Sequence, residues 1–446
     1  MMRRFVYETR RFERGSIMHE PFFLRGTLLY SSSPDTIEIL DDGWLLCRDG
    51  RAAGVFRSKP ERFANLDVFD YTGKLIIPGM TDLHVHAPQF SFRGLGMDLE
   101  LLDWLNTYTF PEESKYEDLS YAETAYESFV SRLARSTTTR ACIFATLHLP
   151  ATLLLMQKLE DAGLSTYVGK VNMNRNCPGY LREISTNQAI RDTERWVVQS
   201  RERFSHTKPI LTPRFIPSCT DDLMYALSRL RAKYDLPVQS HLSENLGEIE
   251  WVKELCPRSK FYGDAYDQFG MFGGGYPCIM AHCVHSNDAE QELMLRRGVY
   301  IAHSPESNMN LASGVAPVNQ FIDRGLHVGL ATDIAGGSHE SMLRAMMHAI
   351  QASKLRWRLL DQSENQVDYR LAQIEKNFDL SDDTQKVAFL QQAAQLLSTL
   401  PSAVEREIYG GHAAQMAGIS AEAMAQEVKK ELRRRIQKEK KQQERR

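Results

Sequence analysis

Residues 74–86 read KLIIPGMTDLHVH, an apolar run that ends in two histidines one residue apart. Seven further short apolar segments follow it: TTRACIFAT (138–146), STYVGKVNM (165–173), PILTPRF (209–215), PVQSHLS (237–243), CIMAHC (278–283), VYIAHS (299–304) and HVGLATD (327–333). Longer stretches with helical periodicity separate them, among them ETAYESFVSRLARS and ESMLRAMMHAIQASKLRWR. Buried strands alternating with amphipathic helices are the pattern of a parallel α/β structure. Eight strand–helix units within residues 74–358 fit a (β/α)8 barrel. A doubly wound sheet shares that alternation, and the polar residues decide between the two. His84, His86, His241, His282 and Asp333 all fall at C-terminal strand ends, which in a barrel converge on one face.

Two residues apart in a strand point to the same side, so His84 and His86 can reach one metal. Three histidines and a carboxylate from this set match zinc, with one position left for water. Working outward, residues 22–78 read as a small β-domain, with β-rich runs broken at Pro-Asp, Asp-Asp and Asp-Gly. The preceding MMRRFVYETRRFERGSI (1–17) has charge but no apolar core, which argues against a secretory signal and suggests a start-site extension before Met18. Residues 79–365 are assigned to the barrel. Residues 367–446 hold one proline and no strand-like run, and are expected to be all helical. The last 18 residues carry ten Lys/Arg against three Glu.

Composition narrows the function classes. The 446 residues are 43% hydrophobic and 25% charged, as in ordinary globular chains. With 54 Lys+Arg against 57 Asp+Glu, the chain as a whole is not a polyanion binder; only the basic end could meet nucleic acid. Seven scattered cysteines without a CxxC read as reduced thiols and a cytoplasmic location. The most apolar stretch, 142–156, is too short for a membrane span and contains His148 and Pro150. There is no P-loop and no dinucleotide-binding GxGxxG, and GMFGGGYP (270–277) has no following lysine.

PGMTDLHVH, QSHLSEN, MAHCVH, IAHSPESN and GLATDIAGG resemble the amidohydrolase superfamily. HAPQFSFRGLGMDLELLDWLNTYTFPEE, TTTRACIFAT, VGKVNMN, TPRFIPSC and LATDIAGG are similar to the guanine deaminases, over about residues 22–365. The resemblance implies a metal-dependent hydrolase barrel with one Zn2+ per chain, held by His84, His86, His241 and Asp333. It implies that His282 holds the attacking water, that Asp333 accepts its proton and that Glu244 carries protons to the ring. Gln89, Arg214 and Phe215 would meet the base: Arg214 as a rigid donor fork, Gln89 as donor and acceptor, Phe215 against the flat ring. The implied reaction is hydrolysis of guanine to xanthine and ammonia. Trp104 would cover the mouth or pack within its helix.

The family's barrel is normally followed by helices and by a return of the chain into the β-domain. Residues 367–446 do not resemble that segment. DYRLAQIEKNFDLSDDTQKVAFLQQAAQLLSTLPSAVEREIYGGHAAQMAGISAEAMAQEVKKELRRR is instead similar to a helical piece of bacterial DNA primase. It brings no zinc ribbon and no acidic metal-binding core. The two resemblances meet between Ser363 and Val367, which suggests a fused or chimeric reading frame with an incomplete β-domain. A homodimer is expected if that domain folds. The alternatives are another purine, pterin or triazine aminohydrolase on the same barrel, or a non-catalytic fusion acting through its basic tail.

Overall fold

The computed structural model describes residues 20–33, 36–357, 366–400 and 402–443. The proposed extension at 1–17 and most of the junction between Ser363 and Val367 lie outside the described residues. The chain forms two compact units, residues 1–353 and 354–446.

The first unit opens with a four-stranded sheet of order β3-β2-β1-β4, made of β1 (Phe22–Tyr30), β2 (Glu38–Arg48), β3 (Arg51–Phe56) and β4 (Asp67–Ile76). Asp49 and Gly50 both take positive φ, the two-residue turn that suits the twist of the hairpin β2–β3. Phe23 anchors one face, edge-on to Trp44 and Phe56. Ile37, Ile39, Tyr71 and Leu75 stay exposed.

The barrel begins at β5 (Met80–His86) and continues through β6 (Thr138–Phe144), β7 (Ser165–Gly169), β8 (Val171–Asn172), β9 (Thr207–Pro209), β10 (Thr212–Pro213), β11 (Val238–Leu242), β12 (Cys278–His282), β13 (Val299–His303) and β14 (His327–Leu330). All barrel pairings are parallel. The eight apolar segments read from the sequence all carry strands, with two refinements. Leu75 and Ile76 belong to β4 of the small sheet, because Pro78 and Gly79 separate them from β5. The third and fourth segments are each split in two. Lys170 interrupts the third, its ammonium buried on Glu183 at 2.6 Å.

Two backbone hydrogen bonds close the ring between its last and first strands. The Asp333 amide donates to the His84 carbonyl at 2.9 Å, and the His86 amide donates to the Ile334 carbonyl at 3.1 Å. Helices cover the outside. In Leu119–Leu133, Asp118 caps the first turn, and Ala122, Tyr126, Phe129, Val130 and Leu133 make the inward stripe at helical spacing. The core runs continuously from these side chains to the strands.

The second unit contains the helices Gln366–Glu375, Asp383–Leu397, Ala403–Ala417 and Ala421–Gln443. Asp382 and Ser402 cap two of them, and Gly418 at φ 65° ends the third. Alanines 393, 394, 413, 414 and 417 let the helices approach closely around Leu371, Phe389, Leu397, Met424 and Val428. Among the described residues, no helix is long and apolar enough to cross a membrane.

Candidate active site

Strand ends place the polar residues. His84 and His86 end β5, His241 lies next to last in β11, and His282 ends β12. Asp333 follows β14. Ser243, His282, Cys283 and Asp333 all have positive φ, so the chain turns sharply as it leaves the sheet. The turn after Asp333 needs Gly337: a Cβ there would sit 1.9 Å from the Thr332 carbonyl oxygen.

Three imidazole nitrogens and one carboxylate oxygen meet at the centre. His86 Nε2 lies 3.2 Å from both His84 Nε2 and His241 Nε2. Asp333 Oδ1 lies 3.0 Å from His84 Nε2 and 3.5 Å from His86 Nε2. Donor atoms on one zinc with bonds of about 2.0–2.1 Å stand about 3.3 Å apart at tetrahedral corners, and these four separations of 3.0–3.5 Å suit a shared metal such as zinc. Burial pushes all three histidines below their usual pKa. The Arg214 carbonyl accepts from His241 Nδ1 at 2.7 Å, which leaves the Nε2 lone pair facing the centre. Burial would raise the Asp333 carboxyl, but His84 and His282 outweigh it and hold the group well below the ordinary range. Phe144 packs against His84, His86 and His241, with ring centroids 4.6–4.9 Å away.

Beside this cluster, His282 Nε2 stands 3.3 Å from Glu244 Oε2 and 3.7 Å from Asp333 Oδ2. Burial alone would lower the His282 pKa, and the facing Glu244 and Asp333 raise it instead. Glu244 is buried and not a solvated loop residue. Burial pushes its carboxyl up to about 7, where it can both give and take a proton near neutrality. Ser313 Oγ donates to Glu244 Oε1 at 3.1 Å. Two groups near His282 and Glu244 carried no signal in the sequence reading. Glu248 accepts from the Glu244 amide at 3.3 Å and from Tyr262 at 2.7 Å, and Asn308 Oδ1 lies 2.8 Å from His282 Nδ1.

A pocket opens over the cluster. Gln89, Arg214, Phe215, Glu244, His282 and Asp333 are among the residues that line it. Trp104 fills both roles considered for it: it lines the pocket and packs on Phe92 within the core. Arg214 and Gln89 share a partner the sequence reading missed, Glu113, which is buried behind them. Its neighbours in sequence, PEE, give no hint of this, because Arg214 is 101 residues away.

Residues 75–371 match the Amidohydrolase family, and residues 367–422 match the DnaB-helicase binding domain of primase. The chain is 42% identical to the guanine deaminase of Dictyostelium discoideum over 64% of its own length and 63% of that protein's. It is 39% identical to a probable guanine deaminase of Schizosaccharomyces pombe, of which it covers 59%. The chain thus spans about six-tenths of the length of these two relatives. Against guanine deaminase of Rattus norvegicus the identity is 36%, over 74% of this chain and 75% of the relative. The crystal structure of guanine deaminase from C. acetobutylicum with bound guanine superposes with a TM-score of 0.75 at 43% identity, covering 78% of this chain and 82% of that one. The E. coli guanine deaminase structure gives 0.69 at 31%, over 76% and 79%. A shared barrel, a family match over residues 75–371 and this level of identity lead to one conclusion: the chain belongs to the amidohydrolase family, among the relatives of guanine deaminases, and is followed from residue 367 by a segment that matches a primase domain.

Proposed function

We propose that this chain is a zinc-dependent guanine deaminase, converting guanine and water to xanthine and ammonia. One observation carries the reading: a single pocket joins a cluster of histidines with Asp333, a buried glutamate titrating near neutrality and a wall able to donate hydrogen bonds to a base. His84, His86, His241 and Asp333 would hold the ion. Zinc bound there supplies a Lewis acid that lets water ionise near neutral pH. The base lies between Phe215 and the cluster, with Arg214 and Gln89 along its polar edge. Asp333 takes one proton from the attacking water, and His282 orients that water between Glu244 and Asp333. Oxygen bonds to C2 while protonated Glu244 gives its proton to a ring nitrogen. The tetrahedral carbon then expels the amine, which takes the remaining hydroxyl proton through Glu244 and leaves as ammonia; C2 keeps the oxygen as a carbonyl, and the proton held on Asp333 returns to Glu244. The seven cysteines are all free, which supports a reducing, cytosolic setting.

The deciding experiment measures zinc content and ammonia release on the purified full chain. Zinc at about one per chain with guanine turnover supports the reading. Stoichiometric zinc with turnover of other aminopurines, pterins or triazines but not guanine moves the activity elsewhere in the family.

A further inference from the structure

Glu113, on the short helix Phe110–Ser114, is buried and touches the pocket only through its partners. Its Oε2 accepts from Arg214 Nη1 at 2.6 Å, and its Oε1 accepts from Arg214 Nη2 at 3.1 Å and from Gln89 Nε2 at 2.9 Å. Gln89 Oε1 in turn accepts from the Ala335 amide at 3.1 Å. A carboxylate only accepts and a backbone N–H only donates. A flipped Gln89 would set oxygen against the Glu113 carboxylate and its amino group against the Ala335 N–H. The amide is therefore held one way round. What Gln89 and Arg214 have left to offer the pocket is N–H.

We infer that Glu113 is a positioning residue that sets ring selectivity: by fixing Gln89 and Arg214 as a pair of donors, it makes the wall accept a ring carbonyl and reject a ring amine at the same position. The inference rests on the purine reading above. A carbonyl accepts both donors, whereas an exocyclic amine sets N–H against N–H and leaves buried donors unpaired, a costly mismatch. In Glu113→Gln the new amide can present either end, so one of the two contacts that fix Gln89 is lost and only the Ala335 N–H still opposes turning its oxygen toward the pocket.

The test compares binding of hypoxanthine and adenine, which differ in the group at C6 and both lack a 2-amino group. Calorimetry on the full chain should show the parent favouring hypoxanthine by about 10²-fold or more. In Glu113→Gln that ratio should fall below about tenfold, with KM for guanine rising more than kcat falls. Glu113→Asp keeps the charge beside Arg214 but reaches less far; it should give an intermediate ratio, and it serves if Glu113→Gln does not fold. A parent that does not discriminate between the two purines overturns the inference. So does a folded variant, with the parent's zinc content, that keeps the parent's ratio. Absence of ammonia release from guanine counts against the guanine reading alone, because neither probe needs to be turned over.

Discussion

With both oxygens of Glu113 engaged by one guanidinium, Arg214 and Glu113 cannot be changed independently. Arg214→Met removes a pocket donor and also strands a buried carboxylate. Breaking a buried pair on one side costs about 3–5 kcal/mol. Urea titration should show that loss in Arg214→Met and recovery of most of it in Arg214→Met/Glu113→Gln, with guanine turnover low in both. Equal stability of the two variants would mean that the charge is not felt. The ligand assignment has its own outcome. His84→Ala, His241→Ala and Asp333→Ala should each lose zinc by elemental analysis, and Glu244→Gln should keep it while turnover drops by about 10²-fold or more. Zinc retained in all three alanine variants removes the assignment. The convergence of His84, His86, His241, His282 and Asp333 was legible in the sequence because each is a polar residue at the end of an apolar run, and strand ends in a barrel share a face. Glu113 was not, because its role exists only through Arg214 and Gln89, which the chain brings to it from a distance.

Among the elements, the helix Leu149–Asp161 is tied to the turn before β9 by one side chain. The Glu160 carboxylate accepts from the amides of Ser205, His206 and Thr207 at 2.9–3.2 Å. Burial alone would raise its pKa; these three N–H groups outweigh it and hold the group below the ordinary range. A carboxyl lowered in the folded state adds stability above its unfolded pKa of about 4.3, and that contribution is lost as pH falls through the folded value. Glu160→Gln should therefore melt below the parent at pH 7, and the gap should close as pH falls below about 4. A gap that persists at low pH would mean the carboxylate charge is not what holds the turn. The strand pattern was readable here because each segment is a continuous apolar run bounded by turn residues. The breaks within the third and fourth segments were not, because Lys170 reads as an ordinary strand residue until Glu183 folds back onto its ammonium.

On the scale of the whole chain, each unit has a core of its own, so damage to one should leave the other's chemistry in place. Phe389 is fully buried in the helical unit. Phe389→Ala should cost that unit about 3–5 kcal/mol. Ammonia release per folded barrel should be unchanged, as it should after cutting the chain at residue 365. Loss of turnover in soluble, folded protein after that cut would make the helical segment part of the catalytic unit. The change of character near residue 365 was visible in composition, since Gln, Ala and Leu replace the strand-forming runs. The ring closure has a consequence in time. Thr332 and Asp82 hydrogen-bond across 250 residues of sequence, so the first strand waits for the last. Closing so long a loop is entropically slow. The amides of His86 and Asp333 that complete the circle belong to residues whose side chains enter the proposed metal site. Whatever ion joins those side chains also works as the clasp on the finished ring. Chelation should be felt first as faster hydrogen exchange at these two amides, before the outer helices register any change.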